Sequence, residues 1–171
     1  RNIAIGYNIL PVANGAESDN IGIGYHAMVT LNNDAAGMNI AIGTNALDAT
    51  STAAVDSCVA IGYEALGALN HAEAAGAVAI GRGAGTAITS GQGNVAVGYQ
   101  ALDAEDDGDY NTAIGHRALS DQTGVTGTVA NTAVGHKAGH VITTGIRNTI
   151  LGSFALANST DVDQTVIIGQ G

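Results

Sequence analysis

The sequence predicts an all-β chain folded as a parallel β-solenoid, a β-roll of about ten coils that fills residues 1–171 as a single repeat domain. Three observations predict it. A nine-residue unit recurs ten times, with 17 to 20 residues from one copy to the next. Inside the unit, β-branched and aliphatic residues alternate with small ones at the two-residue period of a strand. The chain has 25 Gly and 31 Ala among 171 residues but one Phe and no Trp, so few large side chains are available for a thick core.

The same composition excludes other classes. At 46% hydrophobic and 12% charged, the chain is not of the polar, highly charged kind that stays disordered. Gly has no three-residue period and Pro occurs once, which excludes collagen. No heptads run through it. No stretch reaches the roughly 20 apolar residues of a membrane span, and Arg1-Asn2-Ile3 does not read as a signal peptide. A formal charge of −10 argues against a nucleic-acid partner. One cysteine, Cys58, cannot form an intrachain disulfide.

The unit is Asn-(Ile/Val/Thr)-Ala-(Ile/Val)-Gly-x-x-Ala-Leu. Its glycines are Gly6, Gly24, Gly43, Gly62, Gly81, Gly98, Gly115, Gly135, Gly152 and Gly169. Clear copies are Asn39-Ile-Ala-Ile-Gly-Thr-Asn-Ala-Leu47 and Asn111-Thr-Ala-Ile-Gly-His-Arg-Ala-Leu119. Asn opens seven of the ten copies, with Cys58, Ala77 and Thr165 in the others. Stacked coils would stack these amides into a hydrogen-bonding ladder. Next comes a slot that is β-branched in every copy, from Ile3 to Val166, and two residues later one that is always aliphatic, from Ile5 to Ile168. Both lie on one face of a strand, expected to be the greasy inward face.

The slot between them holds Ala in seven copies, Gly22 in one, and Ile150 and Ile167 in the last two. It is expected to point outward. A water-facing slot would accept Ser, Lys or Glu freely. Its restriction to small and apolar residues predicts a neighbouring chain packed closely against it. The repeat Gly is expected to turn a corner, through an unusual dihedral or a close backbone approach. After the Ala-Leu pair come 8 to 11 variable residues, and 14 of the 15 acids fall outside the nine-residue unit. Turn formers such as Asn14-Gly15, Asn32-Asn33-Asp34 and Asp107-Gly108 predict a less regular second strand and an exposed turn there.

The repeat resembles the head repeat of YadA-like trimeric autotransporter adhesins, and equally the Asn-Thr-Ala-Ile-Gly repeats of bacteriophage tail fibres. The resemblance covers essentially the whole chain. It implies a left-handed parallel β-roll packed as a homotrimer, with small inner-strand residues at the contact. It implies a non-enzymatic extracellular segment, on a bacterial cell surface or a virion tail fibre, used for attachment. The receptor would be a host-surface glycan or protein. No nucleic acid and no membrane insertion are expected. The chain begins and ends inside a repeat, so a segment of a longer fibre is expected.

Few residues suggest chemistry, and none is expected to be catalytic, to bind a cofactor or to hold a metal. The slot after each Gly reads Tyr7, Tyr25, Thr44, Tyr63, Arg82, Tyr99, His116, His136, Ser153 and Gln170. Stacked coils would align these as a ladder that stabilises a corner, or one that binds sugar or protein. His116, His136 and His140 could form a metal site only if their nitrogens converge. Asp103-Ala-Glu-Asp-Asp-Gly-Asp109 begins like a calcium loop, but Ile114 stands where an EF-hand needs Glu. Gly81-Arg-Gly-Ala-Gly85 lacks the third-glycine spacing and the strand–helix context of a dinucleotide site.

A hexapeptide-repeat acyltransferase, with His116 as base, is the enzymatic alternative. Its hexad would recur on all three sides of each coil, and here it fits one. Thr112, Thr132 and Thr149 align, but in the slot expected to point inward, and an ice-binding array would need them outward.

Overall fold

A computed structural model describes residues 1–10, 18–31, 37–50, 54–71, 74–123 and 125–171. Asn14-Gly15 and Asn32-Asn33-Asp34 lie outside these residues. The fold is an all-β parallel solenoid of about eight turns with almost no helix.

Ten strands form one sheet in the order β1 (Ile3–Tyr7), β2 (Ile21–Tyr25), β3 (Ile40–Ile42), β4 (Val59–Ile61), β5 (Val78–Ile80), β6 (Val95–Val97), β8 (Thr112–Ile114), β10 (Thr132–Val134), β11 (Thr149–Leu151) and β12 (Val166–Ile168). All neighbours run parallel, and slot pairs with slot. Val59 pairs with Val78, Ala60 with Ala79 and Ile61 with Ile80. A one-residue slip would turn every side chain to the other face, and the repeat forbids it.

The expected second strand is fragmentary. β7 (Gly108–Asp109) and β9 (Gly127–Thr128) form a two-stranded parallel sheet. Isolated bridges join Ser18 to Gly37 and Gly37 to Asp56. Three equal sheets per turn, the hexapeptide-repeat arrangement, do not occur among the described residues.

The corner explains the glycine. Gly24, Gly43 and Gly81 have φ of 143°, 138° and 134°. A Cβ at Gly24 would lie 2.6 Å from the carbonyl oxygen of Gly43 in the next turn. Both expected reasons for glycine therefore hold at once. Three further positions per turn adopt left-handed φ, in most turns with ordinary side chains. In one turn these are Asn45 (φ 55°), Leu47 (φ 51°) and Ser57 (φ 58°). Successive turns hydrogen-bond through these bends, as in Leu47 N–H to Ala65 O at 3.0 Å. Inter-turn bonding stabilises a conformation that Leu and Ser rarely adopt.

The asparagine ladder is present. The Oδ1 of Asn20 accepts from the backbone N–H of Asn39 at 3.0 Å, and that of Asn39 accepts from Cys58 N–H at 2.9 Å. The row resumes from Asn94 to Asn111, Asn131, Asn148 and Thr165 at 2.8 to 3.0 Å. The Nδ2 groups donate to loop carbonyls, as from Asn39 to Val55 and from Asn94 to Gly108. Asn20, Asn39, Asn94, Asn111, Asn131 and Asn148 are buried, and these bonds meet the requirement that buried amides be paired.

The faces of the strand are the reverse of expectation. Ala41, Ala60, Ala79, Ala96, Ala113 and Ala133 point into the solenoid and are fully buried. They pack on the Ala-Leu rows of Ala46, Leu47, Ala65, Leu66, Ala101 and Leu102 across the turn. These six small-slot residues are therefore closed inside the chain and not presented on its surface. The β-branched and aliphatic slots face out, and Ile80, Ile114 and Leu151 are large exposed hydrophobics. The reason is thickness. The Leu of most turns fills the narrow interior, leaving the opposing strand room for a methyl group.

The exceptions obey the same rule. Gly85 and Gly139 stand where the other complete copies have Leu or, once, Met28. A Cβ at Gly85 would meet Ile88 Cδ1 at 2.8 Å, and one at Gly139 would meet Ile150 Cδ1 at 2.8 Å. Larger side chains from elsewhere fill the space that the missing Leu leaves. Ile150 is thus an interior filler in the small slot.

Candidate functional site

Three surface features arise from this geometry. The first is the outward face of the ten-stranded sheet. Its two rows run Ile3, Ile21, Ile40, Val59, Val78, Val95, Thr112, Thr132, Thr149, Val166 and Ile5, Ile23, Ile42, Ile61, Ile80, Val97, Ile114, Val134, Leu151, Ile168. No charge interrupts either row. At ~4.8 Å per strand the stripe is roughly 45 Å long. Ile80 and Ile114 are each 39% exposed and Leu151 46%. Thr112, Thr132 and Thr149 point outward with this face, contrary to expectation. They form one row, and their companions Ile114, Val134 and Leu151 are aliphatic, so no array of paired Thr exists.

The second feature is the corner ladder. Tyr7 stacks on Tyr25 with centroids 5.3 Å apart, and Tyr25 on His26 at 4.0 Å. The Arg82 guanidinium lies 5.4 Å from the Tyr63 ring and 5.8 Å from the Tyr99 ring. Such cation–π contacts contribute roughly 0.5–1 kcal/mol at exposed sites. Tyr99 stacks on His116 at 5.1 Å, and His116 tilts over His136 at 5.2 Å. His136 meets Phe154 edge-on at 4.8 Å. His140 Nδ1 lies 3.0 Å from Lys137 O, and its ring meets Phe154 edge-on at 6.1 Å. The histidines thus serve ring contacts. Among the described residues, no three His, Cys, Asp or Glu side chains are placed to hold a metal.

The third is the acidic stretch from Asp103 to Asp109. It is not uniformly solvated. Glu105 is fully buried; its Oε1 accepts from Asp106 N–H at 3.0 Å and Gly108 N–H at 2.7 Å, and its Oε2 accepts from Gln122 Nε2. Gln122 Oε1 accepts in turn from Asn131 Nδ2 at 2.8 Å. Burial pushes the Glu105 carboxyl up, while the bonds from Gln122, Gly108 and Asp106 pull it back. Asp107 accepts from Ser90 Oγ at 2.5 Å and Thr89 Oγ1 at 3.2 Å, and the Ser90 bond leads in holding its carboxyl low. Its hydrogen-bonded neighbour Asp106 is pushed up. These carboxylates organise their own loop and those of the preceding and following turns.

Cys58 is buried in the asparagine row, and desolvation pushes its thiol up to about 11. It is therefore no activated nucleophile. Gly81 to Gly85 form a corner followed by the bend of the turn. The sequence reading missed the carboxylate of Glu105 as an interior group. One signal was available: Leu31, Leu69, Ile88 and Ile142 occupy the equivalent place, seven residues after the repeat glycine. The chain matches no protein-family model, no curated protein and no solved structure.

Proposed function

We propose that this chain is a non-enzymatic structural segment of an extracellular fibre, assembled as a homotrimer and used for attachment to a surface. The observation that carries it is the uncharged Ile/Val stripe along the outer face of the sheet. Uncharged, largely apolar stripes of this length mark interaction surfaces. A second and third copy of the same chain offer the complementary face, equal in length and repeat. The number three, the left-handed roll, the full count of ten coils and the bacterial-surface or phage-fibre setting come from the resemblance of the repeat to YadA-like adhesin heads and tail fibres. The regular corner and ladder suit a rigid rod whose variable loops face outward. Repetition around a threefold axis would multiply weak contacts to a glycan or protein receptor.

Sedimentation should give about three times the 16.9 kDa chain mass. Ile61→Lys with Ile80→Lys, both on the outer face, should give monomers that keep β-type circular dichroism. Asp106→Lys, in the loop, should leave the assembly intact. A well-folded wild-type monomer at micromolar concentration would overturn the proposal.

A further inference from the structure

The corner ladder carries a notch. The second residue after the repeat glycine is Asn45, Glu64, Gln100, Arg117 and Lys137 in successive turns, but Gly83 in the turn between Glu64 and Gln100. The backbone does not require glycine there. Gly83 has φ 66°, and the same bend carries side chains at Asn45 (55°), Glu64 (56°) and Gln100 (49°). The side chain is simply missing, and a cleft of about 210 Å³ opens in its place.

Its lining is mixed. Tyr63 and Tyr99 flank it, 42% and 39% exposed, with the Arg82 guanidinium held between their rings. Glu64 and Asp103 supply carboxylates, and Gln100 an amide anchored by Arg117 Nε at 3.2 Å. Thr86 Oγ1 lies 3.3 Å from where a Gly83 Cβ would stand. A second cleft of about 370 Å³, bordered by Asn45, Asp48 and Gly67, shares Glu64 and Thr86 with the first. Together they make a polar groove along the rod.

We propose that this groove binds a neutral saccharide, one ring in the Gly83 notch and the next across Glu64. The proposal deepens the attachment reading above by naming a site and a ligand class. The first cleft is smaller than the roughly 300–1,000 Å³ of pockets for drug-sized ligands, which suits a single ring. Carboxylates accept from sugar hydroxyls, the Gln100 amide can donate, and the exposed edges of the Tyr63 and Tyr99 rings, whose facing sides hold Arg82 and whose ladder continues to His116, give the notch an apolar border. A chain of net charge −10 with two carboxylates at the cleft disfavours an anionic ligand. Arg82, between the tyrosines, and Arg117, which holds Gln100 and acts on Asp103, offset those carboxylates locally.

The test uses immobilised neutral tetrasaccharides of glucose, galactose, mannose and N-acetylglucosamine, a sialylated tetrasaccharide and a lysine-rich peptide. Wild-type chain should be retained by at least one neutral sugar. Gly83→Gln refills the notch in a bend that already accepts Gln100. It should weaken retention at least ~tenfold, the loss of one good polar contact, with sedimentation unchanged and the melting temperature lowered only by the strain of a side chain in the left-handed bend. Tyr7→Ala, on the same ladder but outside the notch, should bind as wild type. Equal binding by Gly83→Gln, retention only by the sialylated sugar or the peptide, or no neutral sugar retained would each overturn the inference. Sedimentation of the same samples reads the assembly separately: a trimer that binds no sugar sinks only the groove, and a sugar-binding monomer sinks only the trimer.

Discussion

The turns built on β4 and β5 and those built on β6 and β8 share one backbone but differ inside and out. Seven residues after the repeat glycine, the first pair buries Leu69 and Ile88, and the second buries Glu105 and Gln122. Outside, Val59 and Val78 give way to Val95 and then Thr112, with Thr132 and Thr149 beyond. At this interior place the first pair of turns is held by packing. The polar turns hold a directed chain of bonds from Asn131 to Gln122 to Glu105, which ends on the backbone N–H groups of Asp106 and Gly108. An interior place in a solenoid is thus fixed by shape, and its polarity is set by what the adjoining loop needs satisfied.

The largest effect should be blind to this difference. Gly62→Ala in the dry stretch and Gly115→Ala in the polar one both put a Cβ onto the next turn's backbone. Each should cost ~3 kcal/mol or more, seen as a similar fall in denaturation midpoint. Unequal costs would show that the corners are not equivalent.

Glu105→Leu should separate the two regions. It restores the apolar row but strips acceptors from Gln122 and two backbone N–H groups, at roughly 2–4 kcal/mol. Glu105→Leu with Gln122→Leu should recover part of that loss in thermal melts. No recovery would place the cost in the loop N–H groups rather than in the side-chain pair.

The acidity of Glu105 adds a sign. Its carboxyl is raised above the ordinary 4.5, so the folded state holds its proton more tightly than the unfolded chain. Its contribution is fully present below that value and lost as pH rises through the folded one. The stability gap between wild type and Glu105→Leu should therefore narrow from pH 4 to 7. A gap that widens would reverse the assignment.

The smallest effect on the chain itself belongs to the outer face. Thr112→Val, Thr132→Val and Thr149→Val together should change the stability of an isolated chain by no more than ~0.5 kcal/mol per site. If the stripe is the contact between copies, the triple variant should dissociate at a concentration at least ~tenfold lower. Unchanged dissociation would exclude this end of the stripe from the contact.

Much of this fold was legible in the repeat. Strand, corner and asparagine row follow from slots that barely vary between Gly24 and Gly152. Which face turns inward was not, because alternation at a period of two says which residues share a side and not which side is inside. Both sides here are apolar, and the rule that large residues go inward misassigned Ile42 and Ala41. The bulk of Leu47 and Leu66 was the missing consideration, since it already fills the space that Ala41 and Ala60 leave. Ile150 carried a further clue, a large residue in a small slot one turn after Gly139 replaces Leu. The Gly83 notch is readable only when the left-handed bend at Asn45, Glu64 and Gln100 is known, for otherwise a glycine there looks like a backbone necessity.

The asparagine row has a consequence for how such a chain changes length. Each Oδ1 accepts from the turn that follows it, and Asn111 bonds to Asn94 as Asn148 does to Asn131. The joint is the same at these steps and always points one way. Unequal recombination between copies could remove or add a whole 17-residue unit and bring matching ends together. Length then varies in whole-turn increments while the direction of the chain is preserved. The Cys58 and Ala77 turns, where the row lapses, are the places where such an exchange would leave a mismatched joint.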